Sequence, residues 1–291
     1  MLRRSFLIFA LVATAALFPS DITYGQTAGN AAELYRQAFQ AAPTSPQVLA
    51  ILKAEQPPLE DASKALEEGA RSLALIHQAT SISKCDWGID TSGRSRVDLA
   101  FLSPAKTLHA LMRLQASSQM ADGKSREAAA TLADMMVMGR RIEGIDLLVT
   151  KLLGLAFENG AIDRAAEDLP RFEPRSVRLL SETFQKLPAP ASLDDAAAAE
   201  KRISHQEVKP ESLSIPKAAE LQNEVIRAMF AAALAAPKGG EANFKSTRDP
   251  VGGKPFGYRT LDEGYELSSP GQYRGQTIKL VVGKPEKQAA K

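Results

Sequence analysis

The sequence predicts a mainly α-helical fold, built of helical hairpins, with a small C-terminal β-hairpin region. Three observations predict it. Alanine is plentiful and aromatic residues are only 6% of the chain, a balance that favours helices because alanine loses no side-chain entropy in one. Apolar residues recur at three- and four-residue steps through long stretches between 31 and 235. After Gly240 that period gives way to short β-rich runs separated by glycine turns.

In order along the chain, Arg3 and Arg4 precede an apolar or small run from Phe6 to Phe18. That pattern predicts a signal peptide over residues 1–25, with cleavage after Thr23-Tyr24-Gly25; the run is too short to span a bilayer. An uncleaved membrane anchor is the other reading of the same residues. Asn30 is placed to N-cap a helix through Gln40, with Glu33 reaching back. Ser45-Pro46 restarts a helix and Pro57-Pro58 ends it. Helices are then expected over Leu59–Ala79, Leu99–Met120, Ser125–Arg141, Ile145–Leu169, Glu173–Leu187, Ser192–Gln206 and Ile215–Ala235, with Ser125 as an N-cap. In the tail, Pro255–Thr260 and Tyr265–Ser269 flank Leu261-Asp262-Glu263-Gly264 as a hairpin, and Thr277–Val282 is a third β-rich run. Phe256 and Tyr258 are expected to pack across from Tyr265 and Leu267 and dock the hairpin on the helices. The expected organisation is therefore a leader (1–25), a helical domain (26–240), a β-rich region (241–283) and a disordered tail (284–291). The helical hairpin around Gly123 fits either a bundle or a degenerate tetratricopeptide-like array, with no second copy at the repeat period.

Two resemblances follow from particular residues. Ala-Glu-Leu-Tyr-Arg-Gln-Ala-Phe at 32–39, Cys-Asp-Trp-Gly-Ile-Asp at 85–90 and the hairpin near 105–141 resemble a group of exported helical proteins of planctomycete-like bacteria. The likeness covers most of residues 30–235 and implies a secreted helical protein without a particular activity. The segments Asp249–Tyr258 and Gly264–Gly271 are similar to the C-terminal β-region of type II secretion major pseudopilins, over about a tenth of the chain. In that family the loop after Ser-x-Gly is acidic and binds calcium. Here Gln272, Tyr273, Arg274 and Gly275 follow without a carboxylate, and the prepilin N-terminal pattern is missing, so neither calcium nor a pilus role is expected.

Composition limits the function. Removing residues 1–25 takes away two basic residues and one acidic, leaving 34 against 33 from 36 and 34, a net charge of +1. Such a balance offers no electrostatic footprint for nucleic acid or an anionic membrane. The single Cys85 makes no internal disulfide. His77, His109 and His205 have no metal-ligand spacing, and each is read as a satisfied or exposed side chain. Ser204-His205 lacks a nucleophile elbow, and Gly252-Gly253-Lys254 is a lone turn.

The segment around Cys85, Asp86, Trp87 and Asp90 is the best candidate for ligand or partner binding. One reading makes Cys85 a reactive thiol, or has Trp87 stack a flat face such as a sugar while the carboxylates orient its hydroxyls. The other makes a structured corner, with Trp87 and Ile89 plugging the core, Gly88 turning the chain and Asp90 capping a turn. Asn159 interrupts an apolar stripe and is expected to bond a neighbouring helix; the Met135, Met136 and Met138 cluster is expected to fill core. The function expected is that of a non-catalytic binding or scaffold protein, periplasmic or extracellular, contacting another exported protein or an envelope component. No cofactor, metal, nucleic acid or membrane span after leader removal is expected. The alternative is an exported hydrolase of envelope polymers, drawing carboxylates from Asp86, Asp90 and Glu158, which would have to converge in one cleft.

Overall fold

The computed structural model describes residues 29–54, 58–94, 97–273 and 275–284. The leader expected over 1–25, the break expected at Pro57, Arg274 and tail residues 285–291 lie outside them. The chain is mainly helical and ends in a three-stranded antiparallel sheet.

The first helices form where their caps predict. α1 (Ala31–Gln40) starts at Asn30, whose side chain accepts from the Ala32 N–H; Glu33 pairs forward with Arg36 at 3.2 Å. α2 (Pro46–Lys53) starts at Ser45, whose hydroxyl accepts from Val48, with proline at N1 where a missing N–H costs nothing. The single helix expected over 59–79 is instead two, α3 (Leu59–Glu68) and α4 (Ala70–Ser81), divided at Gly69. Leu111 of α5 (Leu102–Ala121) is wedged against the division: a Cβ on Gly69 would lie 2.1 Å from Leu111 Cδ2, so the position requires glycine. No local period reports that wedge.

α6 (Ser125–Glu143) and α7 (Leu148–Asp168) form the middle of the bundle. They cross in backbone contact, for a Cβ on Gly154 would stand 2.5 Å from the Gly139 carbonyl oxygen. Around this pair pack α5 and α8 (Pro174–Gln185) on α6, and α9 (Leu193–Ser204) and α10 (Ser214–Ala235) on α7. α1 skips two helices to lie on α4. Ser125 does not cap α6 as expected. It is buried in the first turn, bonds Ser176 Oγ at 3.0 Å and accepts from the Glu173 N–H, so it ties the start of α6 to the start of α8. Ser192 does cap α9. Met135, Met136 and Met138 are fully buried core.

After a short helix, α11 (Glu241–Phe244), β1 (Gly257–Leu261), β2 (Gly264–Tyr273) and β3 (Gln276–Gly283) pair in order. The first turn is tighter than expected, only Asp262-Glu263, because Leu261 and Gly264 are themselves paired. Gly264 has φ 150°, and a Cβ there would meet the Val282 carbonyl at 1.8 Å, so the turn requires glycine. β2 runs past Ser269 through a bulge between Ser268 and Gln272, an irregularity that accommodates Pro270. The buried Asp249 carboxylate anchors this bulge. It accepts from Ser269 Oγ, from Tyr273 OH at 3.3 Å, and from the N–H groups of Val251 (2.8 Å) and Gly252 (3.1 Å). Burial acts to raise its pKa, but those donors outweigh burial and hold the carboxyl below the ordinary range.

The sheet docks as expected. Tyr258 faces Leu267 and Thr260 faces Tyr265 in register, while the Tyr258 and Tyr265 rings stack at 5.6 Å and both meet Phe244. Tyr265 OH donates to the Ala236 carbonyl at 3.1 Å. Phe256, Leu267, Leu280 and Val282 belong to the same core as the helices, so the β-rich region shares its hydrophobic interior with the bundle.

Candidate functional site

The segment between α4 and α5 carries the candidate residues, and α1 with its cap holds its start. Asn30 acts twice: its Oδ1 caps α1 and also accepts from the Asp86 N–H at 2.8 Å, while its Nδ2 donates to the Asp86 carbonyl at 2.7 Å. The Ala31 N–H adds a bond to the Lys84 carbonyl at 2.8 Å. Arg36 donates to the Trp87 carbonyl. At the far end the segment passes against α9, where a Cβ on Gly93 would lie 2.2 Å from the Arg202 carbonyl oxygen and where Arg202 Nε donates to the Thr91 carbonyl at 3.1 Å. Within the segment, Asp86, Asp90 and Asp98 each accept at 2.9 Å from the N–H two residues on, three successive Asx turns.

Trp87 is 7% exposed and sits in an aromatic cluster with Tyr35, Phe39 and Phe101. The Phe39, Trp87 and Phe101 rings are within 16° of parallel, and their centroids are 5.6–6.1 Å apart in every pairing. Three parallel rings so spaced cannot form a column, so they lie as offset tiles. The indole N–H donates to the Arg141 carbonyl at 2.9 Å. Arg141 also closes the end of α4, donating to the carbonyls of Ala79 (2.8 Å) and Ile82.

The four singled-out residues fall around two cavities, with Trp87 walling both. Trp87 and Asp90 border one of about 570 Å³, together with Phe39, Val97, Phe101 and Pro104. Cys85 and Asp86 border a smaller one of about 260 Å³ beside Asp146. Burial pushes the Cys85 thiol up to about 11, against the pull of Arg141 and Arg36, which leaves it a protonated, weakly nucleophilic sulfur at neutral pH.

Glu158 is elsewhere. It is fully buried on α7, within a charge network that nothing in the residue pattern signalled except the Arg140-x-x-Glu143 spacing inside an otherwise apolar helix face. Arg140 donates to Glu143 at 2.7 Å and to Glu158 at 2.6 Å, with all three side chains fully buried. Lys151 pairs with Glu143 at 3.2 Å and Glu220 at 2.9 Å, and Arg227 pairs with the other oxygen of Glu158. Asn223 donates to Glu158 and, at 2.8 Å, to Asn159, so Asn159 bonds a neighbouring helix as expected. Both oxygens of Glu158 are engaged, by Arg140, Arg227 and Asn223, and this fully buried carboxylate borders neither of the cavities lined by Asp86 and Asp90.

The histidines have three different settings. His77 Nδ1 donates to Asp134 at 2.7 Å, and that hydrogen bond, with the carboxylate charge, raises its pKa. His205 ends α9 in the left-handed conformation, φ 54°. His109 stacks on Phe157 at 4.3 Å and donates Nε2–H to the Phe157 carbonyl at 3.1 Å. Burial lowers its pKa from 6.5 to about 4. Between those values the unfolded chain binds a proton that the folded chain refuses, so stability present above pH 6.5 is lost as pH falls toward 4. Urea midpoints of the wild type should therefore fall faster than those of His109→Gln across that window; parallel profiles would remove His109 as the cause. Ser204, beside His205, donates its hydroxyl to the Glu200 carbonyl at 2.8 Å, an intrahelical bond with no catalytic partner in it.

Among the described residues no helix is long and apolar enough to cross a membrane. No family model, no curated protein and no solved structure matches the chain.

Proposed function

We propose that this chain is an exported binding or scaffold protein of the cell envelope, acting without catalysis, and that it holds its partner at the cavity bordered by Trp87 and Asp90. The observation that carries the reading is how the cavity is built. Its walls come from two regions about fifty residues apart in sequence, the end of α1 at Phe39 and the stretch from Trp87 to Pro104, each fixed by buried rings or backbone hydrogen bonds. A volume of about 570 Å³ lies within the range of preformed small-ligand sites, about 300–1,000 Å³. The basic, apolar pattern of residues 1–25 supports export. The raised thiol and the engaged carboxylates favour holding over chemistry.

Ala100 is exposed at the rim of this cavity, so Ala100→Phe fills the space without disturbing the core. The protein beginning at Gln26 is expected to retain a component from envelope and secreted fractions after cross-linking, and Ala100→Phe to lose it while keeping the wild-type circular dichroism. Equal retention by the two proteins would remove the cavity from this role.

A further inference from the structure

We infer that the Trp87 cavity takes a short glycan, and this rests on the binding role proposed above. The wall and the rim together select that class. The wall includes Phe39, Trp87 and Phe101, near-parallel rings that all border the cavity, with Phe39 and Trp87 largely buried behind its surface. A sugar ring offers a flat face of C–H groups, which packs against the negative faces or edges of such rings. The rim is polar in both senses. Gln40 and Arg36 supply N–H donors, while Asp90 and Asp98 supply carboxylate acceptors. Each sugar hydroxyl both donates and accepts, so neighbouring hydroxyls satisfy a rim of this mixture.

The rim is also held in place. Asp98 Oδ1 is fixed by the Ala100 N–H and Asp90 Oδ1 by the Ser92 N–H, both at 2.9 Å, and Arg36 is tied to Glu33 and the Trp87 carbonyl. Preorganised polar groups of this kind bind without a large ordering cost.

Trp87 is the only tryptophan, so its emission reports on the walls of the two cavities it borders, and the rim variants below distinguish between them. The full-length protein is titrated with chitotetraose and, separately, cellotetraose, following emission and heat. At least one is expected to give a saturable spectral change with matching heat. Gln40→Ala and Asp98→Asn, both at exposed positions, are expected to weaken that binding at least tenfold with unchanged circular dichroism. Absence of spectral change and heat with both glycans overturns the glycan assignment. If Ala100→Phe still abolishes retention of an envelope component in that case, the binding role stands and only the ligand class falls. Glycan binding that survives Ala100→Phe, Gln40→Ala and Asp98→Asn alike places the glycan elsewhere and overturns the proposal.

Discussion

Trp87→Ala is expected to lower the free energy of unfolding by about 3–5 kcal/mol, the range for truncating a large buried aromatic. Trp87 is 7% exposed and contacts the rings of Tyr35, Phe39 and Phe101. Its loss opens a cavity at the meeting of α1, α5 and the segment that joins α4 to α5. It also strips the Arg141 carbonyl of its indole donor. Urea unfolding followed by circular dichroism measures the effect, since the variant has no tryptophan to follow. Trp87→Phe keeps most of the packing and loses the hydrogen bond, so it should cost less than the alanine change. A loss below about 1 kcal/mol for Trp87→Ala would mean that the segment is attached to the bundle without helping to hold it. The size of this effect is also why Ala100→Phe, and not Trp87→Ala, is the variant that tests binding.

Arg140→Met is expected to cost about 3–5 kcal/mol, as removing one partner from a buried ion pair does. The methionine fills much of the volume, but Glu143 and Glu158 lose the guanidinium between them. Glu158 keeps Arg227 and Asn223, and Glu143 keeps Lys151. Glu143 is already pushed up by burial and held back by Arg140 and Lys151. Without Arg140 its folded-state pKa rises further above the unfolded value. A carboxyl raised in this way stabilises the fold when protonated, below its unfolded pKa, and that contribution is lost as pH rises through the folded pKa. The deficit of Arg140→Met relative to wild type should therefore be larger at pH 8 than at pH 5. Chemical denaturation at the two values checks both the size and the sign, and a pH-independent deficit would show that Glu143 does not titrate in response.

The network matters to the fold because of where it sits. Gly139 and Gly154 bring α6 and α7 into backbone contact, and the charges gather beside that crossing and reach α10 through Glu220, Asn223 and Arg227. An apolar interface of the same size tolerates sliding by a turn, whereas these pairs are met in only one register. Buried ionic groups used in this way trade stability for a specific arrangement.

The helices, their starts at Asn30, Ser45 and Ser192, and the change to β-structure after Gly240 were legible in the residues alone, because caps and apolar periods are interactions within one turn or one strand. The same local chemistry identified the Cys85–Asp90 segment as irregular and Trp87 as its conspicuous side chain. Tertiary structure decided what those local rules do not encode. Leu111 packs against the division of the third helix at Gly69, Ser176 draws Ser125 away from capping, and Asp249 holds a bulge twenty residues further on at Ser269. Glu158 became the centre of a charge network with a residue 69 positions away, where a one-dimensional reading had left it free to join Asp86 and Asp90. Local propensity has a range of about four residues along a helix, and contacts of this kind exist only once the chain has brought distant segments together.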